Sequence, residues 1–222
     1  MPELDTFVAL VARLTRAGDP RLVHVGDTAS GRAHLEVVAA RTTTSVWNMQ
    51  REYGVSMERA ARTLNAGTRA AGLEERDVVS LRGAQHHPLT TTFCPTLRIH
   101  SVPLLLLVAD RREVVVSGPE AMPDGSLPAW ASDDPGVVAH AVRAFEEIWS
   151  AARPWSEVGL RPPLPPRRRE VALGLLSGRS DREIAQELGT SERTVSAEVR
   201  AVVDWLGARN RTHAVAMLVG AG

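Results

Sequence analysis

The stretch SDREIAQELGTSERTV, residues 180–195, contains two helix-forming runs separated only by LGTS. Ser180 and Glu183 have the spacing of a capping box, in which each side chain accepts a hydrogen bond from the backbone N–H of the other residue, so a helix is predicted to begin there. Gly189 is expected to end this helix, and Ser191 is expected to cap the next one. The stretch therefore predicts two helices joined by a turn of about four residues.

The second helix has one apolar face, because Val195, Val199, Val202 and Leu206 recur at helical spacing and predict a buried stripe. The opposite face is expected to be exposed and consists of Arg193, Ser196, Ala197 and Arg200. A helix, a turn and a longer helix form the helix-turn-helix plan, in which the start of the second helix enters the major groove of DNA. Periodicity alone also allows a helical hairpin that only closes a small core.

Under the DNA-binding interpretation, Arg200 is expected to pair with guanine edges or phosphates. Thr194 and the backbone amides near Ser191 suit a phosphate at a helix N-terminus. The residues before the last helix are expected to hold phosphate. The predicted DNA-contact set is Ser191, Arg193, Thr194, Ser196, Ala197, Arg200, Arg209, Asn210 and Arg211.

The last 60 residues or so resemble the LuxR-type helix-turn-helix domain at many fixed positions. The shared positions include Leu164, Pro166, Arg167, Glu170, Gly178, Ser180, Glu183, Ile184, Ala185, Leu188, Ser191, Thr194, Val195, Val199, Leu206 and Arg211. The resemblance implies a four-helix domain in which residues 191–206 form the recognition helix. It also implies a homodimer that binds two half-sites of double-stranded DNA, and hence a transcriptional regulator.

Two positions depart from the family pattern. Ser196 stands where the family usually has lysine, and Glu198 stands where histidine is common. Loss of a cation and gain of an anion beside DNA should lower nonspecific affinity. Alternatively, the Glu198 carboxylate accepts a hydrogen bond from a cytosine amino group.

Upstream of this domain, helix-like and strand-like segments alternate, which favours an α/β domain over residues 1–152. The segments include strands over 45–50, 77–83, 95–102, 104–110 and 113–118, a helix over 56–72, and a closing helix capped by Asp133 or Asp134. The stretch 153–163 is rich in Pro and Arg and is predicted to be a linker. Residues 164–222 then form the all-α helix-turn-helix domain.

The stretch RIHSVPLLLLVADRREVVVSG, residues 98–118, resembles the strand-turn-strand of phospholipase D-like domains, which carries His-x-Lys-x4-Asp. Alignment on Asp110 puts Pro103 at the histidine position and Leu105 at the lysine position, so the nucleophile and the phosphate-binding cation are both missing. The N-terminal region is therefore similar to a degenerate phospholipase D-like or TrmB-like sensor domain of actinobacterial LuxR-type regulators. A phosphodiesterase or nuclease and a protein-interaction adaptor are the alternatives to this non-enzymatic interpretation.

Composition limits the remaining classes of function. The chain has 222 residues, 44% of them hydrophobic, one cysteine and a formal net charge of zero. All 26 basic residues are arginine, which excludes a standard phosphoacceptor receiver domain because that chemistry uses a lysine. An acidic N-terminal stretch and short apolar runs predict a cytoplasmic protein without a membrane segment. No cofactor is expected, and a small-molecule or protein effector is the candidate ligand of the N-terminal domain.

A metal site is a weak alternative. His86, His87, Cys94 and His100 lie within fifteen residues, but their spacing matches no common ligand signature, so structural roles are favoured. A ligand pocket at the strand ends of the α/β domain is expected to be lined by Trp47, Met49, Thr91 and Phe93.

Overall fold

The fold is given by a computed structural model, which describes residues 1–27, 32–51, 67, 71–118 and 127–220. The N-terminal region contains α1 (Pro2–Ala17), β1 (Val23–Asp27), α2 (Arg32–Arg41), β2 (Ser45–Gln50), β3 (Glu74–Val79), α3 (Leu81–His86), α4 (Thr90–Phe93), β4 (Arg98–Ile99), β5 (Leu106–Ala109), β6 (Glu113–Ser117), β7 (Pro128–Ser132), α5 (Pro135–Ala151) and β8 (Arg153–Pro154). A 3₁₀ turn, Trp155–Glu157, leads to α6 (Pro166–Leu176), α7 (Asp181–Glu187), α8 (Glu192–Leu206) and α9 (Arg211–Leu218).

The eight described strands form one mixed sheet in the order β1-β7-β6-β5-β2-β3-β4-β8. Strand β2 is parallel to β3, and β3 is parallel to β4, whereas every other neighbouring pair is antiparallel. The N-terminal region is therefore an α/β structure and the C-terminal region is helical, as predicted. We call the N-terminal region, residues 1–152, the α/β body.

Helices α1 and α5 pack on the sheet through apolar side chains at helical spacing. In α1 the buried residues are Leu4, Phe7, Val11 and Leu14. Helix α5 begins after Asp134, whose side chain accepts a hydrogen bond from the backbone N–H of Val137 at 3.0 Å, so Asp134 and not Asp133 is the cap. The ring of Phe145 on α5 stacks on Trp47 of β2 with ring centroids 5.2 Å apart, which ties the closing helix to the centre of the sheet.

Some sequence predictions in this region were wrong or incomplete. The strand predicted over 77–83 ends at Val79, because Ser80 accepts a hydrogen bond from the backbone N–H of Gly83 at 3.0 Å and starts α3. Within the predicted strand over 95–102, only Arg98–Ile99 is strand. Strand β7 is absent from the sequence prediction. The helix predicted over 56–72 lies outside the described residues apart from 67, 71 and 72.

The expected pocket residues do not share a pocket, so that prediction was wrong. Trp47 and Met49 are fully buried in a first hydrophobic core, which α1, α5 and one face of the sheet enclose. Phe93 is buried in a second core. Side chains predicted to face one cavity are thus separated because they stabilise two different cores.

The second core crosses from the α/β body into the C-terminal helices. It contains Val79, Leu89 and Leu97 from the body together with residues of the C-terminal helices such as Val171, Ile184, Val195, Leu206 and Leu218. The stretch 153–163, predicted to be a linker, contributes β8 to the sheet and partly buried side chains to this core. The domain boundaries themselves stay a prediction, but the two regions are packed together.

Candidate nucleic-acid interface

The two helices of the opening stretch begin where the sequence predicts. The hydroxyl of Ser180 accepts from the backbone N–H of Glu183 at 3.3 Å, and the Glu183 carboxylate accepts from the backbone N–H of Ser180 at 2.7 Å. The bonds from the Ser180 hydroxyl and backbone N–H hold the pKa of Glu183 below its ordinary value. Ser191 caps α8 by accepting from the backbone N–H of Thr194 at 3.2 Å. The capping box and the second cap are therefore confirmed.

Helix α8 has the predicted two faces. Its buried residues are Val195, Val199, Val202 and Leu206. Its outward face is exposed at Arg193, Ser196, Ala197 and Arg200. Neither the Arg193 nor the Arg200 guanidinium forms a hydrogen bond or an ion pair with another residue of the described ranges. Two cations with unsatisfied donors thus project from one helical face, with small side chains between them.

Several neighbouring arginines, in contrast, are held by acids of the same domain. Arg168 on α6 donates from Nε to Glu198 on α8 at 2.9 Å, and both side chains are half-buried. Arg179 pairs with Glu187 across α7. The anion that the sequence places on α8, Glu198, is therefore neutralised by an arginine from another helix of the domain.

Asp181 at the start of α7 joins three helices. Its carboxylate accepts from the Ser196 hydroxyl of α8 at 2.5 Å and from the Arg211 guanidinium of α9. Arg211 also donates to the carbonyl oxygen of Arg179 at 2.5 Å. Partial burial disfavours the charged form of Asp181, but the hydrogen bonds from Ser196 and Arg211 outweigh it and lower its pKa. The Arg211 side chain, expected at a phosphate, is engaged inside the domain.

The remaining predicted contact residues lie at helix starts. Asn210 caps α9, and its side-chain oxygen accepts from the backbone N–H of His213 at 2.9 Å. Arg209 precedes it and is exposed. Thr194 is half-buried, with its hydroxyl 2.8 Å from that of Ser191. Of these, only Arg209 has a charged side chain that is exposed to solvent.

Sequence reasoning missed Asp181, Arg168 and Arg161 as residues that shape this surface. Arg161 donates from its guanidinium to the carbonyl oxygens of Trp205 and Leu206, at the end of α8. The residues that each of the three contacts on α8 are 15 to 45 positions away in the chain. Pattern analysis within one helix carries no signal for such pairs.

The phospholipase D-like hairpin uses its aspartate in the turn. Asp110 and Arg111 both have positive φ, 50° and 55°, as at the centre of a type I′ hairpin turn. The Asp110 carboxylate accepts hydrogen bonds from the backbone and hydroxyl groups of Thr43 and Thr44 and from the backbone N–H of Ser45, all between 2.7 and 3.1 Å. Partial burial opposes its ionisation, but these donors lower its pKa well below the usual range. Asp110 therefore fixes the start of β2.

The histidine and cysteine candidates are not arranged around one point. His86 is exposed, whereas His87 and Cys94 are buried. The Nδ1 atom of His100 lies 3.0 Å from the carbonyl oxygen of Ser101. Across the described ranges, no group of three or more His, Cys, Asp or Glu side chains has the geometry of a metal site. Within the same ranges, every helix is too short or too polar to cross a bilayer.

Comparison with known proteins assigns the C-terminal region. Residues 162–218 match the family described as bacterial regulatory proteins, luxR family. This part of the chain is a LuxR-type helix-turn-helix domain, as the sequence resemblance implied, and such domains are typical of DNA-binding transcription regulators. The match spans about a quarter of the chain. No curated protein matches the chain.

Solved structures similar to the chain include Nuc from Salmonella typhimurium, a phospholipase D family member, with 16% identity and a TM-score of 0.46 over 59% of this chain and 95% of that one. TrmBL2, an archaeal chromatin protein, has 16% identity and a TM-score of 0.46 over 68% of this chain and 60% of that one. The phage VqmA–DPO complex has 24% identity and a TM-score of 0.26 over 50% of this chain and 48% of that one.

Proposed function

We propose that the protein is a sequence-specific transcriptional regulator that reads double-stranded DNA with the exposed face of α8. The observation that carries this proposal is the division of arginines in the LuxR-type domain. Within the described structure, the guanidinium groups of Arg193 and Arg200 project from the exposed face of α8 and have no hydrogen-bond or ion-pair partner. Arg168, Arg179 and Arg211, in contrast, are bound to acids of the same domain. Cations without internal partners are available for phosphates and base edges.

The small residues on this face support close approach to DNA. Ser196 and Ala197 lie between the two arginines, so only short side chains project from the helix there. The Ser196 hydroxyl donates a hydrogen bond to Asp181 of α7, so this short side chain is held against the neighbouring helix. Arg200 is placed one helical turn beyond Ala197, where it reaches base edges in the major groove. Arg209 is proposed as a phosphate contact, and Arg211 as a brace between α7 and α9.

The α/β body is proposed as a sensor or dimerisation module and not as a hydrolase. The Asp110 carboxylate is hydrogen-bonded to the residues at the start of β2, and Pro103 and Leu105 supply neither nucleophile nor cation. We also propose that the protein binds two half-sites as a homodimer and that an effector acts on the body. Cleavage of DNA by the full chain, abolished by a chelator, would overturn the non-enzymatic part.

The test is selection of binding sites from a pool of random DNA duplexes by the full chain, followed by affinity measurements at several salt concentrations. Arg200→Ala is expected to lose roughly 1–3 kcal/mol on the selected duplexes, because a bidentate base contact is removed. Arg112→Ala is the matched control: Arg112 is an exposed arginine of the β5–β6 hairpin, and its removal changes the net charge equally. If wild type enriches no sequence at any salt concentration, or if both variants lose affinity equally, the proposal is wrong.

A further inference from the structure

The chain between the α/β body and the LuxR-type domain is bound along its length. Strand β8 pairs with β4 at the edge of the sheet. The indole N–H of Trp155 donates to the carbonyl oxygen of Pro95 at 2.9 Å. The backbone N–H of Leu164 donates to the hydroxyl of Thr92 at 3.0 Å, in a buried position. Such contacts hold this segment against the body on one side.

Arg161 lies in this segment and contacts both sides. Its carbonyl oxygen accepts from the hydroxyl of Thr91 in the body at 2.8 Å. Its guanidinium donates from Nε to the carbonyl oxygen of Trp205 at 3.1 Å and from Nη2 to that of Leu206 at 2.8 Å. The indole N–H of Trp205 returns a bond of 3.0 Å to the carbonyl oxygen of Pro162.

These two carbonyls belong to the last turn of α8, where backbone acceptors have no intrahelical donor. A cation at this end also interacts favourably with the helix dipole. Arg161 therefore caps the recognition helix from outside its own sequence. Its position is set in turn by the body, through Thr91.

We propose that Arg161 is a positioning residue, which holds the recognition helix at one orientation relative to the α/β body and so couples the state of the body to DNA reading. This inference rests on the proposed function. Arg200 precedes Leu206 by six residues, about 9 Å along the helix axis. Arg161 thus holds the C-terminal end of α8 while the body stays in place, and the DNA-reading face of the helix remains exposed.

The coupling has a distinct signature in DNA binding. Base contacts require that the helix be aligned in the groove, whereas phosphate contacts tolerate small rotations. Loss of the Arg161 cap should therefore reduce the preference for selected over random DNA and leave the salt dependence of nonspecific binding unchanged. A role confined to stability would change neither quantity as long as the chain is folded.

The first test needs no DNA and uses amide hydrogen exchange in the full chain. Thr91→Val removes the hydroxyl bond to Arg161 and keeps the size of the side chain. The N–H groups of Gly207 and Ala208 bond to Asp204 and Val203 at the end of α8. Their exchange rates are expected to rise by roughly threefold or more, because Arg161 is then held less firmly at this helix end. A rise confined to residues 159–164 would overturn the coupling.

The second test compares full-chain variants on the selected DNA. Arg161→Met is expected to lower the ratio of specific to nonspecific affinity about tenfold, and Arg161→Lys, which keeps the charge but not the planar fork, should recover part of it. Arg153→Met is the matched control, because Arg153 lies in the same segment but its guanidinium has hydrogen bonds and ion pairs only with Glu157 in the described structure.

The outcomes separate the two proposals. If wild type selects DNA and Arg161→Met keeps its ratio within about twofold while its circular dichroism is unchanged, the positioning role is wrong. If wild type selects no DNA, the proposed function fails, and the exchange experiment still decides whether Thr91 and Arg161 couple the body to α8.

Discussion

The β5–β6 hairpin of the α/β body and the α7–α8 pair of the C-terminal domain use their charges in opposite ways. In the hairpin, the Asp110 carboxylate accepts hydrogen bonds from residues at the start of β2. The guanidinium of Arg111 lies 4.5 Å from the ring centroid of the buried Trp47. In the helix pair, Asp181 draws in Arg211 and Ser196, while Arg193 and Arg200 stay exposed. The hairpin thus uses Asp110 and Arg111 within its own fold, whereas α8 leaves Arg193 and Arg200 exposed to solvent.

This contrast bears on what each region can do. A carboxylate that accepts five hydrogen bonds is a poor nucleophile and a poor base, because the donors stabilise its oxygen lone pairs and lower its affinity for a proton. An exposed arginine keeps five donors for carbonyl and phosphate oxygens. The motif position that survives in the hairpin is therefore structural, whereas the exposed face of α8 keeps arginine donors open to solvent.

The largest effect on stability is expected from removal of the Asp110 carboxylate. Asp110→Ala removes all five hydrogen bonds and places alanine at positive φ, so the free energy of unfolding should fall by about 2 kcal/mol. Urea unfolding of the full chain measures this change. The DNA preference of the folded variant should be that of wild type. An unchanged unfolding midpoint would contradict the structural role of Asp110.

The stabilisation that Asp110 and Asp181 provide should be lost at acid pH. Because the pKa of Asp110 and that of Asp181 are lower in the folded chain than the usual value of about 3.9, their contribution to stability is complete above that pH and is lost as the pH falls through the folded values. Asp181→Asn should cost about 1 kcal/mol at pH 7 and flatten the decline below pH 4. Unfolding free energies at pH 7, 5, 3 and 2 test this. An equal slope for wild type and variant below pH 4 would contradict it.

The sequence predicted local features better than distant pairs. The capping box at Ser180 and the buried stripe that begins at Val195 were predicted because each depends on residues spaced about one helical turn apart along the sequence. Strand β7 was missed because it is short and begins with proline, which is rare in strand interiors. The contacts of Arg161 and Arg168 were missed because their partners are tens of residues away and are brought together only by packing.

A smaller effect should separate the exposed arginines of α8 from an exposed arginine of the α/β body. Arg193→Ala is expected to lower affinity about threefold on any duplex and to reduce the slope of log affinity against log salt by about 0.9, because one phosphate contact is lost. Arg82→Ala serves as control, since Arg82 is exposed on α3 of the body. If the two variants change the slope equally, net charge and not the α8 face controls binding.

The smallest effect concerns Glu198, which the sequence places beside DNA as an unfavourable anion or a cytosine acceptor. Its carboxylate is held by Arg168, and the side chains of Glu198 and Arg168 are 24% and 32% exposed. A double-mutant cycle with Glu198→Gln and Arg168→Gln should therefore give a coupling energy of about 0.5 kcal/mol in unfolding. Glu198→Gln should also select the same DNA sequences as wild type, because a carboxylate engaged by arginine is not offered to a base. If Glu198→Gln loses its preference for cytosine at one position, the carboxylate leaves Arg168 on binding, and Glu198 joins Arg200 as a residue that reads bases.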